Sequence, residues 1–404
     1  MRSVPTVPDP GKPDLAAGRV GRRYNSRMGR HPDIVIVGGG VIGLTTAYFL
    51  ARAGAAVRVL DRSAPGMEAS WAGAGIIPPG NPSRAATAYD RLRAFSSSLY
   101  SALSQELRER NGIDNGYRVC GGIEVFEADS APTTKLWQEE GIDFRRVLPA
   151  EVQQSEPGLR LPPGDAYLLP GMAQVRNPWH LRALLAACHK TGAEVLSGTA
   201  VVRFRFTGDR LTAALTESGE EHPAGQFLIA SGAWSERLLA QLGCHADVHP
   251  VRGQMVLFRA KSPLFRPVIG VGKRYLVPRE DGRILVGSTE EPEAGYDKRT
   301  TDAGLQGLTD FAITHVAELA SVPVERTWAG LRPGTPDALP YLGPVPGWAN
   351  VFGATGHFRA GIQLSPGTAH VMTDLLLGRR PSLPIEEFRF GRPPARPVVT
   401  AFRS

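Results

Sequence analysis

The chain has 404 residues, 42% of them hydrophobic, with a formal charge of +7 and a sequence pI near 9.5. That length suffices for two domains, or for one large domain with an insertion, and no apolar stretch approaches a membrane span. Much of the charge sits in residues 1–30, where Arg2, Lys12, Arg19, Arg22, Arg23, Arg27 and Arg30 face only Asp9 and Asp14. The remainder is nearly neutral, which excludes nucleic acid as the main partner.

The leader "MRSVPTVPDPGKPDLAAGRVGRRYNSRMGR" is rich in Pro and Arg and lacks hydrophobic periodicity. Residues 1–32 are therefore expected to form a disordered basic extension. The leader has no apolar core of a secretion signal, its prolines oppose the amphipathic helix of an organelle transit peptide, and Met28 offers an alternative start. Cys120, Cys188 and Cys244 form no Cys-x-x-Cys or Cys/His metal spacing, so no metal is expected and reduced thiols in a cytoplasmic protein are.

Residues 33–61 read strand, Gly-rich turn, helix, strand, which is one βαβ unit. In the polar stretch after it, Leu92, Phe95, Leu99 and Leu103 predict a helix with one buried face. A second helix is expected around residues 180–190, with Leu181, Leu184, Leu185 and Cys188 on one side, followed by the alternating strand "AVVRFRF". "QFLIASGAW" reads as a strand buried on both faces. "RGQMVLFRA", "RYLVPRE" and "RILVGST", with the turn Asp281-Gly282, predict antiparallel pairing. Residues 350–378 return to strand, Gly-rich loop and helix. The fold class is thus α/β, with nucleotide-type segments at the start, middle and end and β-rich material between them.

Gly38, Gly40 and Gly43 fit G-x-G-x-x-G, and Asp61 closes the next strand 21 residues after Gly40. Gly38 allows a tight turn, Gly40 admits a pyrophosphate to the backbone, and Gly43 lets helix and strand pack closely. The helix N-terminus presents unpaired N–H groups to phosphates, and Asp61 suits ribose hydroxyls. The spacing alone is weak; its strand, helix and acid make it a dinucleotide site. At the other end of the chain, Arg332 follows Trp328 and a predicted strand, an odd place for a solvated arginine, and its planar fork suits a carboxylate.

The motifs "DIVIVGGGVIGLTTAYFLARAG", "ASWAGAGII", "QVRNPWHL", "ASGAWS", "VRGQMVLF", "RYLVPREDGRILVGST", "WAGLRPGTPDALPYLG" and "ATGHFRAGIQLSPGTA" extend across residues 33–380. In them the chain resembles the glycine oxidases of thiamin biosynthesis, within the D-amino-acid oxidase-like superfamily of FAD enzymes. The resemblance implies a Rossmann-like FAD-binding domain from residues 33–85, 151–234 and 333–385, interleaved with a β-rich α+β substrate domain from 86–150 and 235–332, and a tail at 386–404. FAD contacts are implied at Val41, Ile42, Asp61, Arg62, Ala69, Ser70, Ala74, Gly75, Ile76 and Val175, and in the loop of Gly356, His357, Phe358, Arg359, Ala360, Gly361, Ile362 and Gln363. Gly356 and Gly361 would open a last helix whose positive end faces the flavin. His357 is expected to anchor that loop or edge the flavin rather than act as a general base.

The same resemblance gives Arg332 the substrate carboxylate, with Tyr275 and Arg359 as further partners and no catalytic group beyond the flavin. Lys273 departs from it, standing where the related oxidase has histidine. Related sarcosine oxidases tether flavin through a C-terminal cysteine; none follows Cys244 here, so FAD is expected to bind noncovalently. The implied reaction is oxidation of glycine, sarcosine or small D-amino acids, with dioxygen reduced to hydrogen peroxide and the imine feeding thiamin thiazole synthesis. A thiazole synthase and a second copy of the chain are possible partners; a membrane is not expected. The alternatives are a dehydrogenase of the same fold passing electrons to quinone, and a non-catalytic FAD-binding regulator.

Overall fold

Six strands form the sheet that carries the glycine-rich turn: β1 (Ile34–Val37), β2 (Val57–Leu60), β3 (Glu194–Leu196), β4 (Gln226–Ile229), β5 (Tyr341–Pro344) and β6 (Val351–Thr355). The computed structural model describes residues 31–393 and 399–402, so the expected disordered leader and Met28 lie outside the described residues. The strand order is β5-β6-β4-β1-β2-β3, parallel except for β5. β1 alternates as a strand buried on both faces should. Ile34 and Ile36 enter one apolar cluster, and Val35 and Val37 enter another on the opposite face.

The first face is covered by α1 (Val41–Arg52), α3 (Ala88–Asn111), α4 (Asn177–Lys190) and α5 (Gly361–Leu376), while the four-residue α2 (Ala69–Ala72) sits at its edge. α3 begins where the Thr87 hydroxyl accepts from the Asp90 N–H at 2.9 Å and ends at Gly112, whose φ of 77° is the left-handed cap. The stripe expected on α3 is shifted. Leu92 and Leu103 are buried, but Phe95 and Leu99 are only half-buried, and Tyr89, Ser96, Tyr100 and Leu107 complete the inward face.

Pro366 inside α5 explains the shift. It has no N–H for the Ile362 carbonyl four residues earlier, and the Tyr100 hydroxyl donates to that carbonyl instead. Ser96 Oγ donates to the Gln363 carbonyl at 2.6 Å and accepts from the Gly367 N–H at 2.9 Å. Polar atoms in the α3 stripe thereby repair and fix the first turns of α5.

The second sheet has eight strands in the order Val324–Gly334, His249–Arg259, Arg283–Gly287, Arg274–Pro278, Val268–Val271, Gly122–Phe126, Asp165–Leu169 and Arg145–Val147. The expected turn at Asp281-Gly282 joins Arg274–Pro278 to Arg283–Gly287, with Gly282 at φ 78°. Two elements cross the expected domain boundaries. α3, expected with the substrate segments, packs on α5 and α4, because its repair of α5 holds it there. Asp165–Leu169, expected with the FAD segments, pairs with Gly122–Phe126 in the eight-stranded sheet.

The segment read as a tail is also built in: Phe390 stacks on Tyr341 at 5.2 Å, and Arg392 pairs with Asp337 at 2.6 Å. Among the described residues, no helix is long and apolar enough to cross a membrane, and no group of His, Cys, Asp or Glu could hold a metal ion.

Candidate active site

One cavity of about 720 Å³ runs from the glycine-rich turn to Arg332, within the size range of cofactor sites, on the order of 300–1,000 Å³. The three glycines divide their work as their spacing predicts. Gly38 has φ 112°, and a Cβ on it would stand 2.4 Å from the Ala230 carbonyl oxygen. A Cβ on Gly43 would meet the Gly38 carbonyl oxygen at 1.9 Å, so Gly43 packs behind the turn and does not line the cavity. Gly40 does line it, and a Cβ there would find only Ser70 Oγ, at 3.3 Å. Val41 donates its N–H to Ser70 Oγ at 2.9 Å. Helix geometry leaves the N–H groups of Ile42 and Gly43 without an intrahelical partner.

Asp61 lies at the same end. Its Oδ2 accepts from the Gly39 N–H at 2.7 Å and its Oδ1 from the Ser63 N–H at 2.8 Å. Burial raises its pKa above the usual carboxylate range against the pull of these bonds and of Arg62. Arg62 lies 3.5 Å over the Trp234 ring and pairs with Glu68 at 2.6 Å. Val175 is not at this end. Its side chain is wholly buried in the core, its N–H donates to Gly75 O at 2.8 Å, and it does not line the cavity. Val201, which the sequence reading missed, lines the cavity beside Asp61 and Trp234, two residues after Thr199 binds the Asp61 carbonyl at 2.7 Å.

The middle of the cavity is lined by Ala69, Ser70, Ala74, Gly75, Ile76 and residues 357–363. Gly75 has φ 75°, and a Cβ would lie 2.2 Å from the Val175 carbonyl oxygen. Arg279, also unforeseen, fixes this stretch by donating to Ala74 O at 2.8 Å and Val175 O at 3.0 Å; burial brings its pKa down to about 9. Gly356 turns at φ 77° against Thr335, behind the cavity wall. His357 is buried, its Nε2 stands 3.1 Å from Thr368 Oγ1, and burial lowers its pKa to about 3, so it is a neutral anchor between loop and helix. Phe358 takes φ 46° without being glycine, a conformation costing about 1–2 kcal/mol that is retained chiefly at functional sites.

At the far end Arg332 is held between neutral groups. Its Nη2 donates to Ser288 Oγ at 2.6 Å and its Nη1 to the Thr289 carbonyl at 3.2 Å. Burial lowers its pKa, opposed by nearby Tyr275 and Glu290. Gly253 makes room for it, since a Cβ there would fall 2.1 Å from Arg332 Nη2. An isolated glycine within a strand is the signal of such close approach. Tyr275 Oη lies 3.5 Å from Met255 Sδ. Arg359 is engaged differently, donating to Glu290 Oε2 at 3.1 Å and the Lys273 carbonyl at 2.8 Å, while Lys273 Nζ reaches Glu290 Oε1 at 2.9 Å. Glu290 had no signal in the sequence. Burial pushes its pKa up, but the hydrogen bonds and charges of Lys273 and Arg359 outweigh it and hold the group below the usual range.

The residues fit a dinucleotide joined to a flat ring. Gly40 and the α1 N-terminus leave space and donors at one end, small residues line the middle, and Gln363 Nε2 is buried without a hydrogen-bond partner at the start of α5. The chain matches the family described as FAD dependent oxidoreductase over residues 33–375, and it belongs to that family. It is 37% identical over 350 residues to a glycine oxidase of Pseudomonas aeruginosa, a match covering 86% of this chain and 95% of that one. The crystal structure of glycine oxidase from Geobacillus kaustophilus is similar with a TM-score of 0.84 and 32% identity, over 90% of this chain and 99% of that one. A bifunctional protein ThiO/ThiG of Trichormus variabilis is 34% identical across 89% of this chain, which spans 55% of that protein. The protein is an FAD-dependent oxidoreductase with FAD as its cofactor. None of the three cysteines lines the cavity.

Proposed function

We propose that the protein oxidises glycine, and with it sarcosine and small D-amino acids, consuming dioxygen and water and releasing the 2-oxo acid, ammonia or amine, and hydrogen peroxide. The observation that carries this reading is Arg332: a buried guanidinium that donates to the Ser288 hydroxyl and the Thr289 carbonyl beside Tyr275, in a space cleared by Gly253, at the end of the cavity opposite the phosphate turn. Arginine has five donors, and a small carboxylate would give this one its counter-charge. Tyr275 borders the same space, and Arg359, fixed by Glu290, adds positive potential. The contribution of these residues is orientation of the amino acid.

FAD, when bound, supplies the two-electron acceptor that dioxygen regenerates. Gly38, Gly40, Val41, Ile42, Asp61 and Arg62 would hold its dinucleotide end together with Val201, and Ala69, Ser70, Ala74, Gly75, Ile76 and residues 357–363 its ring, with Gly43 and Gly356 shaping the turns behind. The segments of the six-stranded sheet would form the FAD-binding domain and the eight-stranded sheet the substrate domain. The ThiO/ThiG relative supports a role in supplying glycine imine to a thiazole synthase. A purely regulatory role fits less well, since sensing FAD alone requires no carboxylate anchor; transfer to quinone would use the same anchor and is separated from oxidase activity by peroxide release in air.

The test is anaerobic flavin bleaching by glycine, sarcosine, D-alanine and D-proline, followed by peroxide release in air. Arg332→Ala should lower kcat/KM for glycine by two to three orders of magnitude, about 3–4 kcal/mol, with FAD retained. Absence of bleaching by every one of the four would overturn the assignment.

A further inference from the structure

We propose that the C-terminal residues Thr400, Ala401 and Phe402 form the wall that limits substrate size in this cavity. The family match ends at residue 375, yet these three residues line the same cavity as Arg332 and Tyr275. Ala401 and Phe402 are buried, at 1% and 6% exposure, in the apolar cluster that also holds Phe126, Met255, Val268 and Tyr275. They therefore stand at the substrate end and not at the glycine turn.

The segment is held by a built socket. The Ala401 N–H donates to Asp90 Oδ1 at 3.1 Å, and its carbonyl accepts from Trp137 Nε1. The Phe402 ring stacks on Trp137 with centroids 5.5 Å apart, and Arg93 lies 4.9 Å over the same ring. Arg93 is itself wholly buried, bonded to Asp90 at 3.2 Å and to Glu140 at 2.6 Å. A buried ion network supporting one short segment resists displacement, because exposing any partner leaves an unpaired charge. A substrate anchored through its carboxylate at Arg332 would then meet Phe402 or Thr400 if it carried a bulky group, so the wall admits glycine and small amines and turns away aromatic ones.

The inference rests on the reading of Arg332 as carboxylate anchor, and its test separates the two. In the FAD-loaded protein, flavin absorbance would be titrated with acetate and with phenylacetate, and anaerobic reduction by D-phenylalanine compared with that by glycine. For Phe402→Ala, and for a chain ending at Pro393, affinity for phenylacetate relative to acetate should rise at least tenfold, as should the D-phenylalanine to glycine rate ratio. Thr400→Trp should shift both ratios the other way. If the truncated chain does not retain FAD, the two point variants decide. Ratios within twofold of the parent in both would overturn the wall. A shifted binding ratio without any reduction by glycine would uphold the wall and sink the glycine assignment.

Discussion

The two ends of the cavity are built in opposite ways. At the phosphate end, Gly38, Gly40, Val41, Ile42 and Asp61 come from one βαβ unit, and their placement follows from helix and strand periods acting over some 25 residues. At the substrate end, Arg332, Tyr275, Gly253, Arg359, Phe126 and Phe402 come from six separate stretches. They meet only through sheet register. Val251 pairs with Arg332, so Gly253, two residues on, shares a face with it diagonally, and Tyr275 pairs with Gly287 next to Ser288. The first end is rigid by local geometry; the second is rigid only once the eight-stranded sheet has closed.

The sharpest way to break that contrast is Gly38→Val. The added Cβ would stand 2.4 Å from a backbone oxygen at φ 112°, and neither the turn nor Ala230 has a rotamer with which to yield. FAD affinity should fall more than 100-fold, read from the flavin-to-protein absorbance ratio after gel filtration. The secondary structure of the eight-stranded sheet should persist in circular dichroism. A variant that kept its flavin would show that the local turn does not govern the phosphate end.

This contrast also explains what was legible in the sequence. The βαβ unit, the hairpin at Asp281-Gly282 and the helix at residues 177–190 rest on local periodicity, and the structure has them. Arg332 stood out because a solvated arginine is oddly placed just after Trp328 and a predicted strand, while its role as carboxylate anchor came from the resemblance. What escaped was non-local. Val175 was assigned to the cofactor, but its N–H is bonded to the Gly75 carbonyl and its side chain lies in the core, and Val201 takes the wall. The α3 stripe was displaced toward Ser96 and Tyr100 by a proline about 270 residues away. Glu290 and Arg279 act through partners that no spacing relates to them.

Smaller effects come from histidines at and behind the junction of the two ends. His357 joins its loop to α5, and His180 lies buried beside Asn115 and Tyr100 in the helix layer. Burial lowers their pKa values to about 3 and about 4. In the unfolded chain both would titrate near 6.5. The unfolded state therefore binds more protons below that pH, and stability is lost as pH falls from about 6.5 toward the folded values, by up to about 1.4 kcal/mol per pH unit for each histidine. Urea unfolding at pH 7, 6 and 5 should show this slope, and His180→Gln should remove about half of the share the two carry. An unchanged slope in that variant would mean His180 is protonated in the native state.

The smallest expected effect tests the substrate end alone. Glu290 neutralises Arg359 and Lys273 at 3.1 and 2.9 Å, and its charge also acts on Arg332. Glu290→Gln keeps its size and part of its hydrogen bonding while removing one negative charge near the carboxylate anchor. At about 6 Å in a water-like medium such a charge weighs roughly 0.7 kcal/mol, about threefold. Acetate, a plain anion, should therefore bind about three times more tightly in the variant, and the gain should fade as salt is added. Glycine is a zwitterion, so the gain at its carboxylate is offset by a loss at its ammonium group, and its KM should move less than twofold. Equal tightening of acetate and glycine would mean that the substrate's ammonium group lies away from Glu290, and that this end recognises the carboxylate alone.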